Sequence, residues 1–402
     1  MNGAPTEDVA VSPVARRNAR LYLIGLGASL TGSSAMTLVA GIWVKTLTGS
    51  SAAAAAVGVC LYAPSLLGPL AGMVADRVRR RPLLVAINVA SAAALLPLLA
   101  VDRYHAVWVV YAVMVAYGVS LVLVDPAESA LFAIMLPAEL RQQINGIRLT
   151  LQEGGKLVAP LLGAGLFTVL GGGPVAALDA VTFLVAAAAV ARLRVDEPPP
   201  APPDQHWRAE LLAGLAFIRA TAGLRTTVTA AAAAMAVSGV AVAGQFSLID
   251  ALDRRPAFLG VLTGLLGAGS VVAGLTSSRV LRATGEHGLL LLGLLNGTVG
   301  YALYTTGRLP AALAGAVVFG FALPWTVVAA INLVQRRAPD ALQGRCAAAL
   351  TFALFAPQPA AQLLGATVID HLGYRVVYIA ASAATLATAA YTVRSRTRST
   401  SP

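Results

Sequence analysis

The feature that most limits what this chain can become is its succession of long apolar runs, each ended by a short polar or basic stretch. They lie at about 20–46, 51–75, 82–101, 105–133, 143–170 and 174–192, then at 222–249, 256–277, 286–305, 309–334, 343–370 and 373–393. A helix needs about 20 apolar residues to cross a hydrocarbon core, so the spacing predicts twelve transmembrane helices. Composition points the same way. Hydrophobic residues make up 57% of the 402 positions and charged ones only 12%, which is too little polar surface to cover a soluble domain. The expected fold class is an all-α membrane protein. The first run is too long for the apolar region of a signal peptide, so it reads as an uncleaved first span.

Several function classes drop out. Cys60 and Cys346 both sit inside apolar runs, and the four histidines are scattered. Neither a disulfide framework nor a multi-histidine metal site is expected. No G-x-x-x-x-G-K-S/T run is present, so ATP is not expected to drive the chain directly. Gly171-Gly172-Gly173-Pro174 reads as a tight turn. No enzymatic activity, no bound cofactor and no nucleic-acid partner are expected.

The basic residues read as topology signals. With the N-terminus inside, 21 of the 29 Lys and Arg fall in inner segments and 6 in outer loops. Basic residues are held on the cytoplasmic side of membranes, so both termini are expected in the cytoplasm of a cell-membrane protein. Residues 1–19 form an inner arm and 394–402 an inner tail. Between them 193–221 breaks the pattern. Pro198–Pro203 holds one Ala among prolines, a composition for extended chain. Trp207, Leu211, Leu215 and Ile218 then follow at helical steps, predicting an amphipathic helix on the membrane surface. The plan is a six-helix bundle over 20–192, a cytoplasmic linker over 193–221, and a second bundle over 222–393.

The two halves look duplicated at a fixed offset of 202 residues. Gly72, Arg77 and Val78 match Gly274, Arg279 and Val280, and Gly118 matches Gly320. Pro137 and Leu140 match Pro339 and Leu342, while Leu161, Leu162 and Gly163 match Leu363, Leu364 and Gly365. Duplicated halves are a common layout of secondary transporters, with the substrate site between them.

Between spans two and three stands Gly72-Met-Val-Ala-Asp76-Arg77-Val-Arg79-Arg80-Arg81. A glycine allows close helix approach, and an acid at a helix end can pair with a basic group or a helix N-terminus. Such a cluster can latch the inner ends of two bundles. The segment resembles the signature loop of the major facilitator superfamily, G-x-x-x-D-R-x-G-R-R. Gly72, Asp76, Arg77, Arg80 and Arg81 match, and Arg79 replaces the usual Gly. In the second-half copy Ser278 replaces the acid. On span five, Gly155-Lys-Leu-Val-Ala159-Pro160-Leu-Leu-Gly163-Ala164 resembles the superfamily's antiporter signature, with Ala159 and Ala164 in place of Gly. Small residues permit tight packing and Pro160 bends the helix. Asp125-Pro126-Ala127 with Asn145, and the segment Trp207–Arg219, resemble the branch that exports siderophores and drugs, related to the enterobactin exporter. The resemblance implies two pseudo-symmetric bundles, no enzyme activity, a small-molecule substrate and a bilayer as the only partners, and a monomer.

Charges inside spans are costly and are functional candidates by default. Glu153 lies about eight residues into span five, about 12 Å deep at ~1.5 Å per residue, and Lys156 three residues later can pair with it. Glu153, Asp125 and Glu128 are the candidates to carry a coupling proton. Asp179 is placed near the outer surface, and Asp250 and Asp253 at the outer end of span seven. Spans one, four, seven and ten line the cavity in the family resembled, which offers Trp325, Tyr117, Gln245, Met36 and Phe319 as cavity residues, with Trp325 after Pro324 the first choice for stacking on substrate. The expected function is proton-coupled efflux of an amphipathic small molecule. An importer or facilitator of the same fold is the first alternative, and a non-transporting receptor or scaffold the second.

The topology is directly measurable. Reporter fusions after Arg81 and within 198–204 should score cytoplasmic and one after Arg103 external; a cytoplasmic score at Arg103 removes the six-plus-six plan.

Overall fold

The structure is a computed structural model and describes residues 12–68, 77–101, 106–197, 207–339 and 342–400. Within its helices, some side chains, Glu153 and Lys156 among them, lie outside the described set. Gly72 and Asp76 of the signature loop also lie outside it.

Among the described residues the chain is helical almost throughout. The helices are α1 (Pro13–Thr48), α2 (Ser51–Tyr62), α3 (Arg80–Leu95), α4 (Val107–Met135), α5 (Ala138–Leu170), α6 (Gly172–Ala191), α7 (Trp207–Ala220), α8 (Ala222–Val242), α9 (Gly244–Ala251), α10 (Leu259–Thr305), α11 (Leu309–Arg337), α12 (Gln343–Phe355) and α13 (Gln358–Thr400). Eight helical stretches among the described residues are long and apolar enough to cross a membrane. The local reasons are ordinary ones. Ser12 accepts from the Ala15 N–H at 3.1 Å and Pro13 opens α1, while Gly49 ends it in the left-handed region with φ 70°.

Two of the eight stretches, Pro256–Thr305 and Gln343–Ser395, are 50 and 53 residues long. Each is broken inside. Gly285 (φ 69°, ψ 177°) interrupts α10 and Gly373 (φ 70°, ψ 163°) interrupts α13. Only glycine takes such angles at little cost, so each marks a break between two helical segments.

Helices close on one another where a side chain is missing. A Cβ on Gly118 of α4 would lie 2.1 Å from the Leu61 carbonyl of α2, and one on Gly320 of α11 would lie 2.4 Å from the Leu266 carbonyl of α10. A Cβ on Gly163 of α5 would lie 2.8 Å from the Ala35 side chain of α1, and one on Gly365 of α13 would lie 2.5 Å from the Val240 carbonyl of α8. Gly118 with Gly320 and Gly163 with Gly365 are pairs at the 202-residue offset, and each pair makes the same kind of contact in its own half.

Helix α7 differs from the sequence expectation in what it covers. Leu211, Leu215 and Ile218 do form one face, but that face packs on protein. Ile218 is buried with Leu224, Leu350 and Leu354, Gly214 sits against the Arg345 carbonyl, and Glu210 pairs with Arg345 at 3.3 Å. A partner helix hides the apolar stripe, which sequence alone assigned to lipid.

A glycine packed on a backbone carbonyl cannot gain a side chain without moving a helix. Gly118→Val should cost about 1–3 kcal/mol or more by overpacking, seen as a lower melting temperature in detergent. Gly274→Val, where nothing lies within 4 Å, should melt near the wild type. Equal melting of the two variants would contradict the packing described.

Candidate functional site

The first and second halves of the chain meet through a matched set of contacts. Helix α5 packs on α10, and α2 on α13. A Cβ on Gly58 of α2 would lie 2.6 Å from Gln362 Oε1 of α13; a Cβ on Gly260 of α10 would lie 2.5 Å from Ala164 Cβ and 3.2 Å from the Pro160 carbonyl of α5. Gly58 and Gly260 are 202 positions apart, and so are Pro160 and Gln362. The junction is therefore built twice from equivalent positions. Ala159, Pro160 and Gly163 of the antiporter-like stretch are buried, with Gly163 against α1 and Pro160 against α10, whereas nothing lies within 4 Å of a Cβ on Gly155.

One ion pair reinforces the junction. Lys45 Nζ, in the last turn of α1, lies 2.6 Å from Asp250 Oδ2 of α9. It also donates to the Gly49 carbonyl at 2.8 Å and to Ser51 Oγ at 3.0 Å. Lys45 is only 7% exposed. The sequence reading treated Lys45 as an outer-loop charge; the fold makes it a buried, fully occupied ammonium.

At the signature loop the described part is Arg77 to Arg81. Arg79 is extended (φ −63°, ψ 130°) and opens α3. The Arg80 and Arg81 N–H groups donate to the Glu197 carboxylate at 2.6 and 2.9 Å. The Arg81 side chain in turn donates to the Val190 carbonyl at 3.3 Å and to the Ala191 carbonyl, at the end of α6. Each helix end receives the charge that its dipole favours. Glu197 was not singled out in the sequence; its only signal there was being one of two acids just after span six. In the second half, Glu286 pairs with Arg336 at 2.7 Å, so an acid does sit near that copy, eight residues beyond Ser278.

A polar cluster joins α1, α4 and α5. Arg148 of α5 acts electrostatically on both Asp125 and Glu128 of α4, and Tyr22 of α1 faces Glu128. The Tyr22 hydroxyl and Arg148 Nε are buried without a hydrogen bond of good geometry. Asp125 and Glu128 thus share one cluster, and the described cation beside them is Arg148. Sequence reading passed over it because Glu153 and Lys156 gave a neater helical spacing.

Asp179 is enclosed inside the first half, 1% exposed. The Tyr117 hydroxyl donates to Asp179 Oδ2, and the Thr182 hydroxyl donates to Oδ1 at 3.0 Å. Seven residues of helix separate it from the Gly172 end of α6, about 10 Å at ~1.5 Å per residue, and folding covers that depth with α1 and α4.

The expected cavity residues are dispersed. Tyr117 and Met36 are enclosed in the core of the first half and line no open space in this conformation, because α1, α4 and α6 close over them. Trp325 donates its indole N–H to the Ala273 carbonyl of α10 at 3.0 Å and stacks edge-on with Phe321. Phe319 packs on Tyr301 with ring centroids 4.8 Å apart. Gln245 is half-buried in α9. A groove of about 530 Å³ lies between α5 and α10, walled by Leu161, Ala164, Phe258 and Gly260 with Arg254 and Arg255 at its rim, and it contains none of these five residues. No group of three or more His, Cys, Asp or Glu that could hold a metal ion occurs among the described residues.

Comparison with known proteins fits this construction. Macrolide efflux protein A of Streptococcus pyogenes is 21% identical over 361 residues, 87% of this chain and 88% of the relative. Enterobactin exporter EntS of Shigella flexneri is 26% identical over 251 residues, 60% of this chain and 56% of the relative. Among solved structures, the nucleoside transporter NupG superposes with a TM-score of 0.77 at 12% identity, covering 94% of this chain and 99% of that one; at that identity the likeness is one of fold. The profile of the Major Facilitator Superfamily matches residues 21–361. The chain is a multi-pass membrane transporter, not an enzyme, and belongs to the Major Facilitator Superfamily.

Proposed function

We propose that the protein exports an amphipathic small molecule across the bacterial cell membrane in exchange for protons, by alternating access between two six-helix bundles. The observation that carries this reading is the doubled junction, Gly58 with Gln362 and Gly260 with Pro160. Positions related by one offset meeting in the same way favour two like bundles that rock about a central axis. Breaks at Gly285 and Gly373 divide two of the eight long stretches, and α2 and α5 add two more crossings, which supports a count of twelve. The bundles are then 20–192 and 222–393, joined by the linker 193–221, with the arm 1–19 and the tail 394–402 on the cytoplasmic face.

With both termini in the cytoplasm, the Lys45–Asp250 pair and the doubled junction lie on the outer side. This conformation is then closed outside and open inward, ready to load substrate from the cytoplasm or the inner leaflet. The Gly155–Gly163 pattern and the likeness to a macrolide efflux protein and an enterobactin exporter favour export, with a macrolide or a siderophore-like chelator as the first substrates to try. Glu128 and Asp125, facing Arg148, are the leading proton carriers, and Glu153 beside Lys156 is the next. The cytoplasmic latch of Gly72, Asp76, Arg77, Arg80 and Arg81 holds the opposite state. The proton gradient is the energy source, with no cofactor, and the transporter acts as a monomer.

Everted vesicles with an acidified lumen test this. Wild-type protein should concentrate a labelled macrolide, and Glu128→Gln should bind it but not concentrate it. No accumulation of macrolides or catechol chelators by the wild type would dismiss the export reading. Full accumulation by Glu128→Gln would pass the coupling role to Asp125 or Glu153.

The outer contact has its own test. Lys45→Ala leaves Asp250 unpaired and removes three contacts, at a cost of ~1–3 kcal/mol to the outward-closed state. That should shift the conformational equilibrium about tenfold per 1.4 kcal/mol toward outward-open, read as greater labelling of an outer-cavity cysteine. Unchanged labelling would show that the ion pair is not part of the gate.

A further inference from the structure

A buried acid outside the proposed coupling cluster has a more closed environment than any group within it. Asp179 is 1% exposed. Both of its oxygens are engaged, one by the Tyr117 hydroxyl and the other by the Thr182 hydroxyl at 3.0 Å. Ser33 of α1 stands against the Tyr117 hydroxyl in turn. Among the described residues, the titratable or charged groups facing Asp179 from the packed helices come to one, the Tyr117 phenol. Among the described residues, none supplies a positive charge to the carboxyl.

Close packing defines the site further. A Cβ placed on Gly32 of α1 would lie 2.2 Å from Asp179 Oδ1 and 2.3 Å from Thr182 Oγ1. The carboxyl therefore occupies the space that a side chain at position 32 would fill. A metal ion would need several further oxygen ligands, and α1 already sits where they would have to go. An ionised carboxylate taken from water without a counter-charge costs several kcal/mol, and two neutral hydroxyls return only part of that. Burial among these groups thus works toward the neutral acid.

Resting on the transport reading above, we propose that Asp179 is a proton-binding site of the transport cycle, sealed with its proton while Gly32 of α1 lies against it and able to exchange that proton with water only when α1 moves away. The proton comes from water and returns to it, with no other chemistry. Helix α1 can report the state of the transporter to this site, because the same helix ends in Lys45, which holds Asp250 of the second half. Tyr117 and Glu128 are 11 residues apart on α4, as Ser33 and Tyr22 are on α1. At ~100° and ~1.5 Å per residue that puts each pair on one face, about 16 Å apart along the helix. The seam between α1 and α4 thus carries two polar levels, one at Asp179 and one at Glu128.

The test combines spectroscopy with transport, on full-length protein. Infrared spectra of the wild type in lipid should show the carbonyl stretch of a protonated carboxylic acid at neutral pH, and Asp179→Asn should remove it. The amide keeps the shape and both hydroxyl contacts, so gradient-independent equilibration of substrate should persist, while gradient-driven accumulation should be lost. Tyr117→Phe serves if Asp179→Asn fails to insert: the band should shift as the acid loses a hydrogen bond. An unchanged band in either variant would overturn the proposal. So would loss of the band with full gradient-driven accumulation, which would leave Asp179 as a structural acid. If the wild type itself shows no gradient-driven transport, the export reading fails, and with it the place of Asp179 in a cycle, while the infrared arm still decides whether Asp179 holds a proton.

Discussion

In a hydrocarbon core no water is present to satisfy a backbone N–H or C=O, so each must find its partner within the chain. That requirement makes the described chain helical and leaves the tertiary structure to be decided by how closely helices can approach. Lipid tails are as apolar as leucine side chains, so burial of apolar surface drives helix association only weakly. Shape does the work instead. Gly118 on the Leu61 carbonyl and Gly320 on the Leu266 carbonyl bring backbones into direct contact, gaining dispersion over the length of a helix.

The same economy appears where the two halves meet. Gly58 against Gln362 and Gly260 against Pro160 are one contact used twice, and the second use has no polar side chain in it. The asymmetry has a consequence. Gln362 Oε1 is buried without a hydrogen bond, an arrangement that costs roughly 1–3 kcal/mol and weakens one of the two contacts. The Lys45–Asp250 pair also joins the two halves and adds a directed, charge-assisted bond. In the proposed two-bundle mechanism, a junction of small residues plus one ion pair is strong enough to hold a state and weak enough to release it.

Polar groups inside the first half are arranged at separate depths and are treated differently at each. Asp125 and Glu128 face a guanidinium and remain partly open. Asp179, among the described residues, faces hydroxyls alone and is closed. At the loop before α3, Glu197 and Arg81 exchange charges between the ends of α3 and α6, so that the signature arginines are fixed by an acid from beyond span six as well as by their own sequence.

Much of this was legible in the sequence. The apolar runs, the amphipathic stretch at 207–220, the offset of 202 and the signature loop are local or periodic properties, and periodicity survives whatever the chain packs against. The family follows from those. Other features depended on distance through space. Lys45 read as a loop charge because its partner is 205 residues away, and Arg148 was eclipsed by a nearer pair on its own helix. Tyr117 read as a cavity residue and Asp179 as a surface one, yet they bond to each other because α4 and α6 bracket α1 at Gly32. Sequence determined which segments are apolar enough to cross a bilayer and which helices could come close. Only the tertiary structure decided which buried charge meets which partner, because in a helical membrane protein that is fixed by the rotation and depth of each helix against its neighbours, and no single helix carries that information.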